Sequence, residues 1–281
     1  DLLQDSDRND WDRDGILLVR GLLTPGEVQE IRDHFDDFVK TPKTIENHWY
    51  PVSDEEAGGD PLKRYPRVLQ PHAFMELAKR YMLHERIGKV LAELLQDDPI
   101  ATQSMYYFKP SGAKGQALHQ DNYYLRVKPY TCVAAWCAID PAMPENGGMS
   151  LVPGTKDYDI QCPRLGDATP DFVKQGSFTH DYVAPPEGTE AVPHVMQPGD
   201  VLFFNGSVIH GSTPNTHPTL WRRSFICHYM PSAAKEISGY YHTFGLWDFD
   251  GNRVDRAYSE EDGGPCGRED AAMTEGQKIT V

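Results

Sequence analysis

The stretch that decides the fold is the run Val-Ala-Ala-Trp-Cys-Ala-Ile at positions 133–139. Seven consecutive apolar residues have the length of a β-strand, and they fall short of the roughly 18 to 20 that a membrane helix needs. Other strand-length segments lie on both sides of this run, separated by turns rich in Pro, Gly and Asn. The candidate strands are 100–108, 130–139, 149–152, 200–204 and 223–229. Many short strands divided by such turns predict a mainly β fold, a sandwich or a barrel.

The first hundred residues are instead predicted to be mostly helical. The segment Thr24-Pro25-Gly26-Glu27 combines a capping residue, a proline at the first helical position and a glutamate at the third, which is a capping box. A short strand is expected just upstream, at 15–19, and a second helical region at about 73–95. Apolar residues follow the capping box at helical spacing, namely Val28, Ile31, Phe35 and Phe38. Helices are therefore expected to flank the β core.

Two long polar segments interrupt this pattern, at 43–70 and 161–195. Segments of this length inside a compact domain are often lids or binding loops, and a mobile surface insertion is the other interpretation. The predicted organisation is a single domain over residues 1–281. It has a helical part at about 24–97, a β core at about 100–230 and a tail at about 231–281.

Composition limits the classes of partner. The chain of 281 residues has a formal net charge of -15, so nucleic acid and anionic membrane surfaces would be repelled. This charge indicates either simple solubility or attraction of a cationic substrate. The five cysteines are widely spaced and form no C-x-x-C pair, and no basic signal sequence precedes an apolar run. These features predict reduced cysteines and a cytoplasmic protein.

The segment Leu118-His119-Gln120-Asp121 is the central chemical motif. Residues two apart on a strand point to the same side, so His119 and Asp121 can face one point in space. His210, in Ile209-His210-Gly211-Ser212 after an apolar strand, is a candidate third ligand. Two imidazoles and one carboxylate on one face of an octahedron are the ligand set of non-haem iron(II) oxygenases. This set leaves open positions for a chelating co-substrate and O2.

A basic strand shortly after His210 supports the same interpretation. Strand alternation places Arg222 with Ser224, Ile226 and His228 on one face, and Arg223 on the other. A buried arginine is costly unless it is paired. A dicarboxylate such as 2-oxoglutarate would pair with it, because guanidinium and carboxylate groups match in a bidentate fork.

The order of these motifs resembles the phytanoyl-CoA dioxygenase family of 2-oxoglutarate-dependent oxygenases. The resemblance covers roughly residues 17–229. Besides the two histidine motifs, it is carried by Trp136, Glu145-Asn146-Gly147-Gly148, Val152-Pro153-Gly154-Thr155, Gly199-Asp200 and Arg222. It implies a double-stranded β-helix, that is, a jelly-roll (cupin-like) core with helices packed outside.

The resemblance also implies roles for individual residues. His119, Asp121 and His210 would bind iron(II), and Arg222 would bind the distal carboxylate of 2-oxoglutarate. Further residues would line the co-substrate pocket, namely Ser212, Gln120, Trp136 and Met105. Because His210 and Arg222 are twelve positions apart, one more than in some members of the family, Arg223 stays open as the alternative anchor. Asp121 favours hydroxylation, desaturation or another oxidative rearrangement, since related halogenases replace this carboxylate with a small residue.

The predicted enzyme is therefore an iron(II)-dependent dioxygenase that uses 2-oxoglutarate and O2 and releases succinate and CO2. Its substrate is predicted to be a small metabolite or natural-product intermediate, and its oligomeric state is left open. Two other classes remain: a metal-dependent cupin-like isomerase or hydrolase, and a non-catalytic jelly-roll binding protein.

The sequence allows two interpretations of some residues. Lys109 is either near the pocket mouth or an ordinary surface lysine, and Asn146 is expected to build a turn. His217 and His228 are not expected to be metal ligands. Eight residues are candidates for contact with substrate, although ordinary packing explains each of them as well: Tyr106, Tyr123, Trp49, Tyr65, Arg64, Arg126, Phe244 and Trp247.

Overall fold

The apolar run at 133–139 lies inside the larger of two main β-sheets. The computed structural model describes residues 2–40, 43–163, 169–179 and 181–258. Its strands, in chain order, are β1 (Ile16–Val19), β2 (Val68–Leu69), β3 (Pro99–Tyr107), β4 (Gln116–His119), β5 (Val133–Ala138), β6 (Met149–Leu151), β7 (Val192–His194), β8 (Val201–Asn205), β9 (His210–Ser212), β10 (Ser224–Pro231), β11 (Glu236–Ile237), β12 (Leu246–Trp247), β13 (Arg253–Val254) and β14 (Ala257–Tyr258). The larger sheet has the order β1-β8-β5-β10-β3-β12-β13, with β2 also paired to β3, and the smaller has the order β4-β9-β6-β7.

Pairing within both main sheets is antiparallel throughout. A separate parallel pair, β11 with β14, forms a third, two-stranded sheet. The helices are α1 (Asp5–Asp14), α2 (Pro25–Phe38), α3 (Asp54–Ala57), α4 (Pro61–Arg64), α5 (Glu76–Met82), α6 (Glu85–Leu95), α7 (Asn122–Leu125), α8 (Asp171–Gly176) and α9 (Gly239–Thr243), with a 3-10 turn at Pro71–Ala73. The prediction of a mainly β fold with flanking helices is confirmed.

Both faces of the larger sheet are buried, which explains why β5 reads as an unbroken apolar run. The odd-numbered residues of β5 (133, 135 and 137) belong to the core that includes the apolar faces of α2, α5 and α6. Its even-numbered residues (134, 136 and 138) pack in a second core with Met149 and Leu151 of the smaller sheet. The smaller sheet therefore covers one face of β5, and the helices cover the other.

The capping box at Thr24 is confirmed and begins α2. The Thr24 hydroxyl accepts a hydrogen bond from the Glu27 amide at 3.3 Å, and the Glu27 carboxylate accepts one from the Thr24 amide at 2.7 Å. The predicted helical region at 73–95 is divided into α5 and α6, because the His84 side chain caps the second helix by accepting from the Arg86 amide. Helix α1, which precedes β1, was not predicted from the sequence.

The two long polar segments contain more regular structure than predicted. The segment at 43–70 holds α3, α4 and β2, which pairs with β3. The segment at 161–195 holds α8 and β7, with 164–168 and 180 outside the described residues. Part of the predicted tail extends the larger sheet through β12, and 259–281 lie outside the described residues.

Cys132, Cys137 and Cys227 are free and buried, whereas Cys162 is disulfide-bonded, so the expectation of reduced cysteines is wrong at Cys162. Within the described part of the chain, no helix combines the length and the apolar character needed to cross a membrane.

Helix α2 is anchored to the larger sheet through Phe35, which is fully buried and stacks on Tyr106 with ring centroids 3.8 Å apart. We expect Phe35→Ala to lower the free energy of unfolding by about 3–5 kcal/mol, because a large buried side chain is lost and a cavity remains. Urea denaturation measures this change. The exposed Phe172→Ala variant is the control and should change stability by about 0.5 kcal/mol or less. Equal losses in both variants would contradict the assignment of this core.

Candidate metal centre

A cavity of about 420 Å³ lies between the two main sheets. The larger sheet contributes Met105, Trp136 and Ile226 to its wall, and the smaller sheet contributes Met149. His119, Asp121 and His210 also face this cavity, and all three are buried. The cavity therefore brings the residues of the predicted metal motif together.

The pairing of β4 with β9 makes His119 the direct cross-strand partner of His210. The two imidazole centroids are 4.2 Å apart, and the Nε2 atom of each lies 3.4 Å from Oδ1 of Asp121. One ligand atom from each of the three residues lies within 4.8 Å of the other two. The arrangement is compatible with a single metal ion bound by two nitrogens and one oxygen.

The local backbone differs from the strand predicted for this motif. Strand β4 ends at His119, its pairing with β9 is irregular between Gln116 and His119, and Asp121 has helical backbone angles just before α7. The Asp121 side chain nevertheless returns to the same side as His119. An irregular strand end of this kind commonly redirects a side chain at a functional site.

Hydrogen bonds fix the orientation of both imidazoles. Nδ1 of His119 donates to the Ala117 carbonyl at 2.8 Å, and Nδ1 of His210 donates to the Val208 carbonyl at 2.9 Å. A neutral imidazole that donates from Nδ1 keeps a lone pair on Nε2, the atom that faces the cavity. Burial and the neighbouring His210 lower the pKa of His119, so this ring stays neutral and able to bind a metal. The donor set therefore fits an iron(II) ion.

Asp121 is held by a third histidine. His228 of β10 donates from Nε2 to Oδ2 of Asp121 at 2.8 Å, which leaves Oδ1 towards His119 and His210. Burial alone would raise the pKa of Asp121, but the imidazoles of His210 and His228 outweigh it and keep that pKa well below its usual range. Asp121 is therefore an anion, and His228 contacts this carboxylate from outside the group of three.

Arg222 lies at another part of the same cavity. Its Nε donates to the Gly147 carbonyl at 3.0 Å, its Nη1 donates to Ser224 Oγ at 2.5 Å, and its guanidinium lies 5.0 Å from the centroid of the Trp136 indole. Burial lowers the pKa of Arg222 to about 10. Within the described ranges, no carboxylate oxygen lies within 4.0 Å of this guanidinium. An anionic ligand would compensate this buried charge.

Arg223 points away from the cavity, as strand alternation predicted. Its Nε lies 3.0 Å from Asp36 of α2, and its Nη1 lies 2.9 Å from Asp140. The ion pair with Asp36 connects the larger sheet to the helical layer. Among the two arginines, Arg222 is thus the one that faces the cavity.

Four of the five residues expected in the co-substrate pocket line this cavity: Met105, Trp136, Ser212 and Arg222. Gln120 is not among the residues that line the cavity, and its place in the co-substrate pocket stays a prediction. Its amide donates to the Ser207 carbonyl at 2.9 Å, and its carbonyl accepts from the Gln161 amide at 2.6 Å. Gln120 faces the opposite side from its neighbours His119 and Asp121, so it joins two loops.

None of the eight candidate substrate residues lines this cavity. The cavity wall instead contains the residue that follows each of two candidates: Tyr107, which follows Tyr106, and Tyr124, which follows Tyr123. Tyr106 belongs to the helix-covered core. Met105 was predicted to line the co-substrate pocket, and alternate residues of a strand share a face, so Tyr107 lies on the same face of β3 as Met105. The sequence therefore indicated Tyr107 rather than Tyr106 as a cavity residue.

Other cavity residues come from the two long segments. Arg67 belongs to the first, and Phe178, Thr179 and Asp181 belong to the second. The Arg67 guanidinium lies 5.4 Å from the Phe178 ring centroid, so the segments meet at the cavity wall. This position favours a binding role for both segments over a surface insertion.

The structure also decides between the interpretations of Asn146, His217 and Lys109. Asn146 builds a turn, as expected: its amide donates to the Pro141 carbonyl and accepts from the Met143 amide, each at 2.7 Å. His217 accepts hydrogen bonds from the amides of its own loop and does not line the cavity. Lys109 is buried, with 2% of its surface exposed, so the interpretation of a surface lysine is wrong.

Comparisons with known proteins agree with this geometry. The model of the family Phytanoyl-CoA dioxygenase (PhyH) matches residues 11–224. Phytanoyl-CoA dioxygenase 1 of Oryza sativa subsp. japonica is 28% identical over 212 residues, which cover 72% of this chain and 73% of the relative.

Solved structures share the fold. The epimerase SnoN in complex with Fe3+, alpha ketoglutarate and nogalamycin RO has a TM-score of 0.61 at 20% identity, over 82% of this chain and 84% of that one. EctD from S. alaskensis with 2-oxoglutarate and 5-hydroxyectoine has a TM-score of 0.64 at 18% identity, over 83% and 78%. The prediction of a jelly-roll fold is confirmed.

The contact between His228 and Asp121 predicts an effect on metal affinity. We expect His228→Leu to weaken iron(II) binding about 10- to 100-fold, because the second oxygen of Asp121 loses its donor and the carboxylate can rotate. Anaerobic titration with iron(II) measures this. His34→Leu, at an exposed position on α2, is the matched control and should bind iron(II) like the wild type. Unchanged affinity in His228→Leu would contradict this role.

Proposed function

We propose that this chain, which belongs to the phytanoyl-CoA dioxygenase family, is an iron(II)- and 2-oxoglutarate-dependent dioxygenase. It would hydroxylate or otherwise oxidise a small molecule and release succinate and CO2. One observation carries the proposal: a buried group of two histidines and one aspartate shares a cavity with a buried arginine that has no carboxylate oxygen of the described residues within 4.0 Å.

In this proposal His119, Asp121 and His210 hold the metal. When bound, iron(II) and 2-oxoglutarate together activate O2 and supply the oxidant. The three residues lie on one side of the cavity, which leaves its remaining volume for ligands. Their orientation is set before any metal binds, because each imidazole donates to a backbone carbonyl and Asp121 accepts from His228.

Arg222 holds the distal carboxylate of the co-substrate, and Ser212 donates a hydrogen bond to it. A guanidinium buried against Trp136 interacts more strongly with an anion than an exposed one, since water competes less. Met105 and Trp136 supply apolar walls for the carbon chain between the two carboxylates. A cupin-like isomerase or hydrolase would not need this arginine, and a binding protein would not need three metal ligands beside it.

The substrate is a small metabolite or natural-product intermediate. A cavity of about 420 Å³ lies towards the lower end of the range for small-molecule sites, and part of it is taken by the co-substrate. Substrate would contact Tyr124, Phe178 and Arg67 on the wall formed by the long segments. Tyr124 and Phe178 give this wall aromatic surface. Asp121 occupies the position that halogenases leave open for chloride, so oxidation is favoured over halogenation.

Removal of one proposed ligand tests the enzyme directly. We expect His210→Ala to abolish iron(II)-dependent succinate release from 2-oxoglutarate, measured in air with a panel of candidate metabolites. His34→Ala, on the exposed face of α2, should behave like the wild type. Turnover retained in His210→Ala would remove this histidine from the site, and no succinate from the wild type with any metabolite would count against the proposed reaction.

The two neighbouring arginines give a second test. We expect Arg222→Ala to raise the KM for 2-oxoglutarate by about tenfold or more, since a hydrogen-bonded charge pair is lost. Arg223→Ala should change this KM little and should instead lower the free energy of unfolding, because it loses the ion pairs with Asp36 and Asp140. The reverse pattern would mean that Arg223 anchors the co-substrate.

A further inference from the structure

Two side chains of opposite charge, Arg67 and Asp181, lie on the cavity wall that the two long segments form. Both are half-buried. They do not pair with each other, because no nitrogen of Arg67 lies within 4.0 Å of a carboxylate oxygen of Asp181. Among the described residues, neither has another oppositely charged partner within that distance. Each charge is therefore available to a ligand in the cavity.

The larger sheet positions Arg67, which comes directly before β2. Val68 pairs with Tyr106 and Leu69 pairs with Met105 of β3. Successive residues of a strand point to opposite sides, so Arg67 and Leu69 face the cavity while Val68 lies in the helix-covered core. The register of the sheet thus determines that the arginine reaches this wall.

The guanidinium of Arg67 keeps donors that the protein does not use. It lies 5.4 Å from the ring centroid of Phe178 and 5.9 Å from that of Tyr107, and its Nη1 donates to the Tyr107 hydroxyl at 3.1 Å. Its Nε is buried and has no hydrogen-bond partner. A guanidinium carries five N–H groups in one plane, and a carboxylate matches two of them at once. The unused donors therefore suit a carboxylate.

Backbone hydrogen bonds hold Asp181 next to the metal motif. The Phe178 amide donates to the Gly115 carbonyl at 2.9 Å, and the Val183 amide donates to the Leu118 carbonyl at 2.8 Å. These contacts fasten the second long segment beside β4 on both sides of Asp181. The carboxylate is therefore positioned by the same strand that carries the first histidine of the motif.

Asp181 has a neutral neighbour on one oxygen and none on the other. Its Oδ2 accepts a hydrogen bond from the Tyr124 hydroxyl at 3.0 Å, and its Oδ1 accepts none from the described residues. Burial, together with Asp181 itself, raises the pKa of Tyr124 well above its usual range, so this phenol keeps its proton. The Tyr124 ring centroid lies 6.1 Å from that of His119. A cationic group near the metal motif would compensate the negative charge of Asp181.

The balance of charge in the cavity gives the same result. Apart from histidines, the charged residues that line it in the described part of the chain are Arg67, Asp121, Asp181 and Arg222. In the proposed function, iron(II) and the two carboxylates of 2-oxoglutarate together balance Asp121 and Arg222. Arg67 and Asp181 then remain, one of each sign. An anionic substrate would leave Asp181 uncompensated, and a cationic one would leave Arg67 uncompensated.

We propose that the substrate is a zwitterion of the amino-acid class, whose carboxylate binds Arg67 and whose ammonium group binds Asp181. This inference rests on the proposed function, because it assumes that the metal and the co-substrate occupy the rest of the cavity. Arg67 and Asp181 are then the residues that select the substrate, and they hold it at two points beside the metal motif.

A panel of matched small molecules tests the substrate class. It contains the free α-amino acids and the unbranched ω-amino acids from β-alanine to 6-aminohexanoate. Each has two analogues, one without the ammonium group and one without the carboxylate. Anaerobic calorimetry measures binding to protein loaded with iron(II) and 2-oxoglutarate. We expect at least one zwitterion to bind about tenfold or more tightly than both of its analogues, since each analogue loses a charge-assisted hydrogen bond.

Two substitutions assign the charges individually. Asp181→Asn should weaken binding of the best zwitterion about tenfold or more and leave the affinity of its carboxylate analogue unchanged. Arg67→Gln should weaken binding of the zwitterion and of the carboxylate analogue, and leave the affinity of the amine analogue unchanged. Asp171→Asn and Arg253→Gln, at exposed positions, are the matched controls and should bind like the wild type.

The conservative variants Arg67→Lys and Asp181→Glu keep the charges and should recover part of the zwitterion affinity. They also serve if a neutral variant does not fold. Equal weakening for a zwitterion and both analogues would make the two residues structural only. Analogues that bind as tightly as every zwitterion, or a panel without any binding, would reject the inference and leave the proposed function intact. Wild-type protein that binds iron(II) but not 2-oxoglutarate would reject the proposed function itself.

Discussion

The antiparallel pairing of β4 with β9 is the constraint on which the site depends. It sets His119 opposite His210 and Gln116 opposite Ser212, so one register serves both the metal end and the carboxylate end. Two glycines permit the close approach of these segments. A Cβ on Gly115 would lie 2.1 Å from the Ser212 carbonyl oxygen, and one on Gly211 would lie 2.7 Å from that of Gln116. A slip of either strand by one residue would turn the histidine of that strand away from the cavity.

Charge is distributed unevenly along the cavity. At one end Asp121 is an anion among three histidines, which suits a divalent cation. At the other end Arg222 is a buried cation, and no carboxylate oxygen of the described residues lies within 4.0 Å of its guanidinium. A metal at the first end and a dicarboxylate between the two would neutralise both. The overall charge of -15 therefore says little about the ligand, because the protein reverses its sign locally.

Patterns that are local in the sequence were predictable, and contacts across long separations were not. The capping box of α2, the strand run at β5 and the spacing of His119 and Asp121 depend on near neighbours, and the structure contains all of them. The burial of Lys109 depends on Ser212, 103 positions away. The direction of the Gln120 side chain likewise depends on Ser207, 87 positions away, whose carbonyl accepts from its amide.

The central claim is that iron(II) and 2-oxoglutarate bind together at His119, Asp121 and His210. Its most direct test adds iron(II) and then 2-oxoglutarate to the protein under anaerobic conditions and records the visible spectrum. The account predicts a weak charge-transfer band that saturates at one equivalent of each. It also predicts that the band is missing in Asp121→Ala. Iron(II) bound by the wild type without such a band would contradict the account.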